Sequence, residues 1–266
     1  MKISLLQNDI VWGNPKANQD ACEQIMKSLE KSDVYVLPEM FSTGFATQPA
    51  GIAEADGSSL EWMKRMAAEL DAAVCGSVAT ERPDYEKGNV TDEDGNPVGA
   101  KAYYNRFYFV KPDGTYYYYD KHHLFTYGGE HKLYTRGEDR IVAEFRGVKY
   151  LLQVCYDLRF PTFARNSSKN TYDVALYVAS WPTVRINAWD TLLHARAIEN
   201  QCYVAGVNRV GTDVACEYSG GTMLIDAYGK TVAECPRGEQ SAITAELDME
   251  ALAAFRKKFP VLNDAD

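Results

Sequence analysis

Three polar residues stand just past apolar runs: Glu39 after Tyr35-Val36-Leu37-Pro38, Lys121 after the tyrosines at 116–119 and Asp120, and Cys155 after Tyr150-Leu151-Leu152-Gln153-Val154. A thiol can attack an electrophilic carbon, a carboxylate can take the thiol proton, and an ammonium can steady the negative charge that develops. Short apolar runs closed by proline or charge read as buried strands. Each of the three residues therefore stands at a strand's carboxyl end, where α/β sheets gather ligands and reacting groups. Cys155 also opens the charged turn Cys155-Tyr156-Asp157-Leu158-Arg159-Phe160-Pro161, which lifts its thiol out of a sheet edge. A reactive thiol needs an electropositive, partly open setting to become a thiolate, and Lys121 is expected to supply it.

Taken singly, each residue has a plainer reading. Cys155 could be a packed core thiol, as Cys22, Cys75 and Cys202 are read to be. Lys121 could be a solvated lysine at a hairpin end, and Glu39 an acid near a helix N-terminus. Only the combination of nucleophile, base and cation outweighs these readings.

The elements that must position them follow from periodicity and turn chemistry. Residues 2–8 read as a strand. Asn14-Pro15 opens a helix with Ala21, Cys22, Ile25, Met26 and Leu29 on one face. Val34–Leu37 is a strand, 60–70 a second amphipathic helix and 73–79 the next strand. Residues 81–101 read as a long acidic connection. Lys111-Pro112-Asp113-Gly114 turns a hairpin between 106–110 and 115–119, and Arg146-Gly147 turns another between 141–145 and 148–154. A strand at 174–179, a helix at 187–200 and strands at 202–208, 221–226 and 230–234 complete the series.

The words around the three residues, "LPEMFSTGF", "DKHHLF", "CYDLRFP" and "ARAIENQCYVAGVNRVG", span residues 35–211, and "KFPVLNDAD" extends the match towards residue 266. They resemble the nitrilase superfamily of carbon–nitrogen hydrolases, with the bacterial omega-amidases as the most similar branch. The resemblance implies an α/β four-layer α-β-β-α sandwich in one domain over residues 1–266. It implies that Cys155 attacks an amide carbonyl to form a thioester, with Glu39 as the base. Lys121 and the Tyr156 backbone N–H would then face the oxyanion. Glu130, in "YGGEHKLYTRG", matches a second family acid that would orient Lys121.

An omega-amidase takes monoamides of small dicarboxylic acids, such as 2-oxoglutaramate or 2-oxosuccinamate, so the substrate's free carboxylate needs a cation. Arg185 in "SWPTVR" is the expected clamp, since a guanidinium pairs with carboxylate in two-pronged fashion. Trp181 and Tyr127 are expected beside it. Arg159, Arg196 and Glu199 read as buried ion pairs beneath the site. His122 and His123 read as structural, one of them capping the turn at Phe125. Two alternatives remain open: another small-amide, nitrile or N-carbamoyl hydrolase of the same superfamily, and a non-catalytic binding or scaffold protein.

The chain has 266 residues and a net charge of −9, without a lysine or arginine block, so nucleic acid is not an expected partner. No apolar run approaches the ~20 residues that cross a bilayer, and Met1–Gln7 reads as a strand rather than a signal sequence. The expected setting is cytoplasmic, with no membrane partner. Six cysteines without a Cys-x-x-Cys pair and four histidines without ligand spacing argue against a disulfide framework and a metal. No cofactor is expected, and the family resemblance implies a homodimer or higher homo-oligomer.

Overall fold

The computed structural model describes residues 1–83, 90–91, 97–98 and 101–265. The chain begins β1 (Lys2–Gln7), α1 (Pro15–Ser28), β2 (Val34–Val36), α2 (Ser58–Leu70) and β3 (Ala73–Pro83). A short pair, β4 (Val90–Thr91) and β5 (Pro97–Val98), precedes the hairpin β6 (Lys101–Val110) and β7 (Tyr116–Asp120). Next come β8 (Val142–Phe145), β9 (Val148–Val154), α3 (Pro161–Ala164), β10 (Val174–Ala179) and α4 (Ile186–Asn200). The series ends with β11 (Tyr203–Asn208), β12 (Val210–Thr212), β13 (Glu217–Ser219), β14 (Met223–Ile225), β15 (Thr231–Glu234), β16 (Ser241–Glu246) and α5 (Met249–Lys258).

Two six-stranded sheets result, in the orders β16-β1-β2-β3-β6-β7 and β15-β14-β11-β10-β9-β8. Strands β1, β2 and β3 run parallel, as do β9, β10 and β11. Alternation along the strands explains the layering, because successive side chains point to opposite faces. Ile3, Leu5, Val34 and Val36 of the first sheet meet Leu152, Val154, Leu176 and Val178 of the second in one buried cluster. The other face of the first sheet offers Tyr35, Val74 and Tyr108 to Cys22 and Met26 of α1 and to Met63 and Met66 of α2. The other face of the second offers Leu151, Ala175 and Tyr177 to Trp189, Leu193 and Ala197 of α4. Three apolar layers between four structural layers make the α-β-β-α sandwich.

Local chemistry sets the element ends. Asn14 Oδ1 accepts from the Ala17 N–H at 3.1 Å, and Pro15 occupies the first turn of α1. Arg146 (φ 49°) and Gly147 (φ 78°) both take positive φ, as the two-residue turn between β8 and β9 demands. A Cβ on Gly206 would stand 2.4 Å from Leu193 Cδ1, so glycine there lets α4 lie directly on β11.

Several boundaries differ from those read in the sequence. The strand expected at 221–226 covers only Met223–Ile225, because Gly220 and Gly221 take φ of 76° and 95° and break the extended run. β3 reaches Pro83 and β6 starts at Lys101, so the expected connection at 81–101 is shorter at both ends. Its residues 84–89, 92–96 and 99–100 lie outside the described residues. Strands β12, β13 and β16 and helix α5 were not anticipated. No helix among the described residues is long and apolar enough to cross a membrane.

Candidate active site

The three strand-end residues converge from two sheets. Glu39 lies three residues beyond β2 and Lys121 directly after β7, both in the first sheet; Cys155 follows β9 in the second. Glu130 comes from the 3-10 turn Glu130–Lys132. Lys121 Nζ donates to Glu39 Oε1 at 3.0 Å and to Glu130 Oε2 and Oε1 at 2.9 and 3.1 Å. Lys121 and both carboxylates are fully buried. The Phe45 ring stands 5.1 Å from the ammonium and covers it.

One member of this cluster escaped the sequence reading. Asn105, fully buried in β6, donates Nδ2 to Glu39 Oε1 at 2.7 Å and to Glu130 Oε1 at 3.2 Å. A signal for it existed. The β6–β7 register pairs Arg106 with Asp120, and one step further sets Asn105 against Lys121, whose N–H donates to the Asn105 carbonyl at 3.0 Å. The backbone N–H of Ser180, just past β10, donates to Glu39 Oε2 at 2.8 Å.

Cys155 sits on a constrained backbone. Its φ is 47°, and Met40 beside Glu39 takes φ 44°; a non-glycine residue in this region carries strain of about 1–3 kcal/mol. The buried Asp157 holds the turn in place. Its Oδ2 accepts from the Tyr119 hydroxyl at 2.8 Å and the Val154 N–H at 2.9 Å, and its Oδ1 accepts from the His123 N–H at 2.9 Å. His123 Nδ1 lies 2.8 Å from the same oxygen, and the two histidine rings stack on Phe160 and Phe163. Both histidines are thus structural. The Phe125 turn is capped otherwise than expected, since its N–H donates to Glu130 Oε2 at 2.6 Å.

The electrostatics correct the expected thiolate. Burial pushes the Cys155 thiol well above its ordinary range, Glu39 pushes it further, and the opposing pull of Lys121 is outweighed. One ammonium already faces two buried carboxylates, so a thiolate would be a third anion. Desolvation disfavours the Lys121 ammonium, but the charges of Glu130 and Glu39 overcome it and hold the lysine protonated. Burial raises the Glu130 carboxyl; Lys121 pulls it down, Glu39 raises it, and the net shift is upward.

Above the cluster, Phe45, Phe125, Tyr156 and Trp181 wall a narrow cleft that contains Cys155, Arg159 and Arg185. Trp181 is buried and donates Nε1 to the Arg185 carbonyl at 2.8 Å. The Arg185 guanidinium lies 5.4 Å from the Phe125 ring centre and that of Arg159 4.9 Å from Trp181. Tyr127 is 87 % exposed and lines the cavity outside the cleft instead. Arg159 departs from its expected place. Arg196 does pair with Glu199 at 2.8 Å beneath the site, but Arg159 turns into the cleft, because the 3-10 turn Cys155–Arg159 brings residue 159 back beside residue 155. Neither Arg159 nor Arg185 has an ion-pair partner among the described residues. No group of three His, Cys, Asp or Glu among the described residues is placed to hold a metal.

This geometry has counterparts. The family profile described as carbon-nitrogen hydrolase matches residues 2–257. The omega-amidase YafV of Yersinia enterocolitica is 44 % identical over 267 residues, covering 100 % of this chain and 97 % of that protein. A 2-oxoglutaramate amidase of Bacillus subtilis is 35 % identical, covering 98 % and 96 %. A crystal structure of XC1258 from Xanthomonas campestris, described as a CN-hydrolase superfamily protein with an arsenic adduct in its active site, superposes with a TM-score of 0.89 at 39 % identity, covering 100 % of this chain and 97 % of that one.

Proposed function

Because the chain belongs to the carbon–nitrogen hydrolase family, we propose that this amidase hydrolyses the terminal amide of a small dicarboxylic acid monoamide, of the 2-oxoglutaramate or 2-oxosuccinamate type. The observation that carries the reading is the presence of two guanidiniums, Arg159 and Arg185, without ion-pair partners among the described residues, in the same narrow cleft as Cys155. A charged substrate would be poorly held in so apolar a cleft without a paired cation. The omega-amidase and 2-oxoglutaramate amidase relatives support the same substrate class.

In the proposed reaction Cys155 Sγ attacks the amide carbon while Glu39 takes the thiol proton. The thiolate forms only as the carbon–sulfur bond does, which suits a thiol held neutral at rest. Lys121 Nζ and the Tyr156 backbone N–H receive the oxyanion. Glu39 returns the proton to the nitrogen, the carbon–nitrogen bond breaks, and ammonia leaves a thioester. Water, deprotonated by Glu39, attacks the thioester; the acid departs and the thiol is restored. Glu130 holds Lys121 from its second side throughout.

A panel of amides assayed for ammonia, with Cys155→Ala as control, tests the proposal. Turnover of 2-oxoglutaramate and succinamate by the parent enzyme and its loss in the variant is expected. Release from a nitrile or an N-carbamoyl amino acid alone would replace the substrate class. We also read the protein as one catalytic domain that forms at least a homodimer in the cytoplasm. Exposed aromatics such as Tyr116, Tyr118 and Phe259 are compatible with self-association, and a monomeric mass at micromolar concentration would reject it.

A further inference from the structure

Outside the narrow Cys155 cleft lies a second cavity of ≈ 430 Å³. The two share Phe45, Phe125, Pro182 and Arg185 as a common wall. The outer cavity is faced by Trp12, Tyr127, Val184 and Val214, and three of these are almost wholly in water: Tyr127 at 87 %, Val184 at 85 % and Val214 at 93 %. Large apolar side chains gathered at one mouth mark a place where apolar surface is to be covered. The acid in the wall is already used. Asp213 Oδ1 accepts from the N–H groups of Ala215 and Cys216, and its Oδ2 from the Tyr218 hydroxyl, all at 2.8 Å. An ammonium would find no free carboxylate in this wall.

The connectivity of a linear monoamide decides which of its ends meets this cavity. Arg159 and Cys155 line the cleft but not the outer cavity. With the carboxylate held at Arg159 rather than at Arg185, and the amide carbon at Cys155, the nitrogen is the end that faces outward. Phe45 marks the route, since it covers the Lys121 ammonium, walls the cleft and walls the outer cavity. We propose that the outer cavity is a leaving-group subsite for an uncharged aralkyl substituent on the amide nitrogen. The enzyme then also hydrolyses secondary amides, releasing a primary aralkylamine. The chemistry balances as for the primary amide: the carbon–nitrogen bond breaks as Glu39 delivers the thiol proton to nitrogen, the amine departs, and one water resolves the thioester. The inference rests on the proposed function, because the substrate carboxylate must occupy the cleft.

The test compares succinamate, N-benzylsuccinamate and 2-benzylsuccinamate, reading ammonia or benzylamine. N-benzylsuccinamate should be turned over with kcat/KM within about tenfold of succinamate, and 2-benzylsuccinamate should be far poorer because its bulk lies in the cleft. The double variant Val184→Asp/Val214→Asp, which alters two exposed positions, should lower kcat/KM for the N-benzyl amide at least fivefold more than for succinamate. Turnover of succinamate without benzylamine release overturns the inference and leaves the proposed function standing. Equal effects of the double variant on both amides also overturn it. If 2-oxoglutaramate, succinamate and its N-benzyl amide all fail to react, the proposed function falls and this subsite with it.

Discussion

The Ser180 backbone N–H, at the end of β10, reaches across the junction of the two sheets to Glu39 Oε2 at 2.8 Å. The carboxylate assigned as base stands on one sheet and is aimed by the other. The Ser180 hydroxyl matters less, reaching only the Glu39 carbonyl at 3.4 Å.

Ser180→Pro removes that N–H, while Ser180→Ala keeps it. A hydrogen bond to a charged group contributes about 1.5–3 kcal/mol, equivalent to roughly 10- to 160-fold in rate. The proline variant should lose kcat on that scale with an unchanged circular dichroism spectrum, and the alanine variant should stay within a few-fold of the parent. A fully active proline variant would show that Glu39 needs no guidance from β10.

Asn105 holds two carboxylates to one ammonium through a single amide nitrogen. Asn105→Leu keeps the branched shape and deletes both donors, so kcat should fall about 100-fold with a small change in KM. Asn105→Asp would set a third acid against Glu39 and Glu130 and should be worse. Adding Glu130→Gln to it restores the charge count and should recover part of the loss. Steady-state kinetics on the three variants decide the matter, and a normal kcat in Asn105→Leu would rule out the role.

The two cleft arginines differ in position, and the difference is measurable. Arg159 lines only the cleft, whereas Arg185 also borders the outer cavity. Arg159→Leu should raise KM for an acid monoamide more than Arg185→Leu does, and both should affect a neutral amide such as butyramide far less. Equal losses on charged and neutral amides would make the arginines supports for Trp181 and Phe125 rather than carboxylate clamps.

Cys155 should label slowly at neutral pH. Its thiol is raised above the ordinary value of 9.0 by burial and by Glu39, so in the free enzyme the protonated form prevails below that pH. Iodoacetamide should modify it more slowly than free cysteine at pH 7.5, with a rate that keeps rising with pH after that of free cysteine has levelled off. A labelling profile with its midpoint well below pH 8.5 would mean that Lys121 dominates after all and the thiolate is preformed.

The strand-end positions of Glu39, Lys121 and Cys155 were legible because each closes an apolar run, a feature contained in a few consecutive residues. The hairpins were legible for the same reason, their turns being written in Gly114 and in Arg146-Gly147. Arg159 was misread because its direction depends on the tight 3-10 turn after Cys155, which sequence spacing does not reveal. β16 and α5 left weak signals. Ser241–Ala245 is half-buried on both faces and so lacks alternation, and α5 buries only Leu252. Asn105 could have been found only by carrying the hairpin register one step beyond the strands.

The pairing of β1 with β16 ties Lys2–Gln7 to Ser241–Glu246, residues separated by almost the whole sequence. During synthesis β1 acquires β2 beside it, but its other edge waits for a partner made more than two hundred residues later. A bare strand edge is a template for pairing with other chains, and contacts of such long sequence separation form slowly. Until β16 arrives, a nascent copy of this enzyme therefore carries one β1 edge open to pairing with another chain.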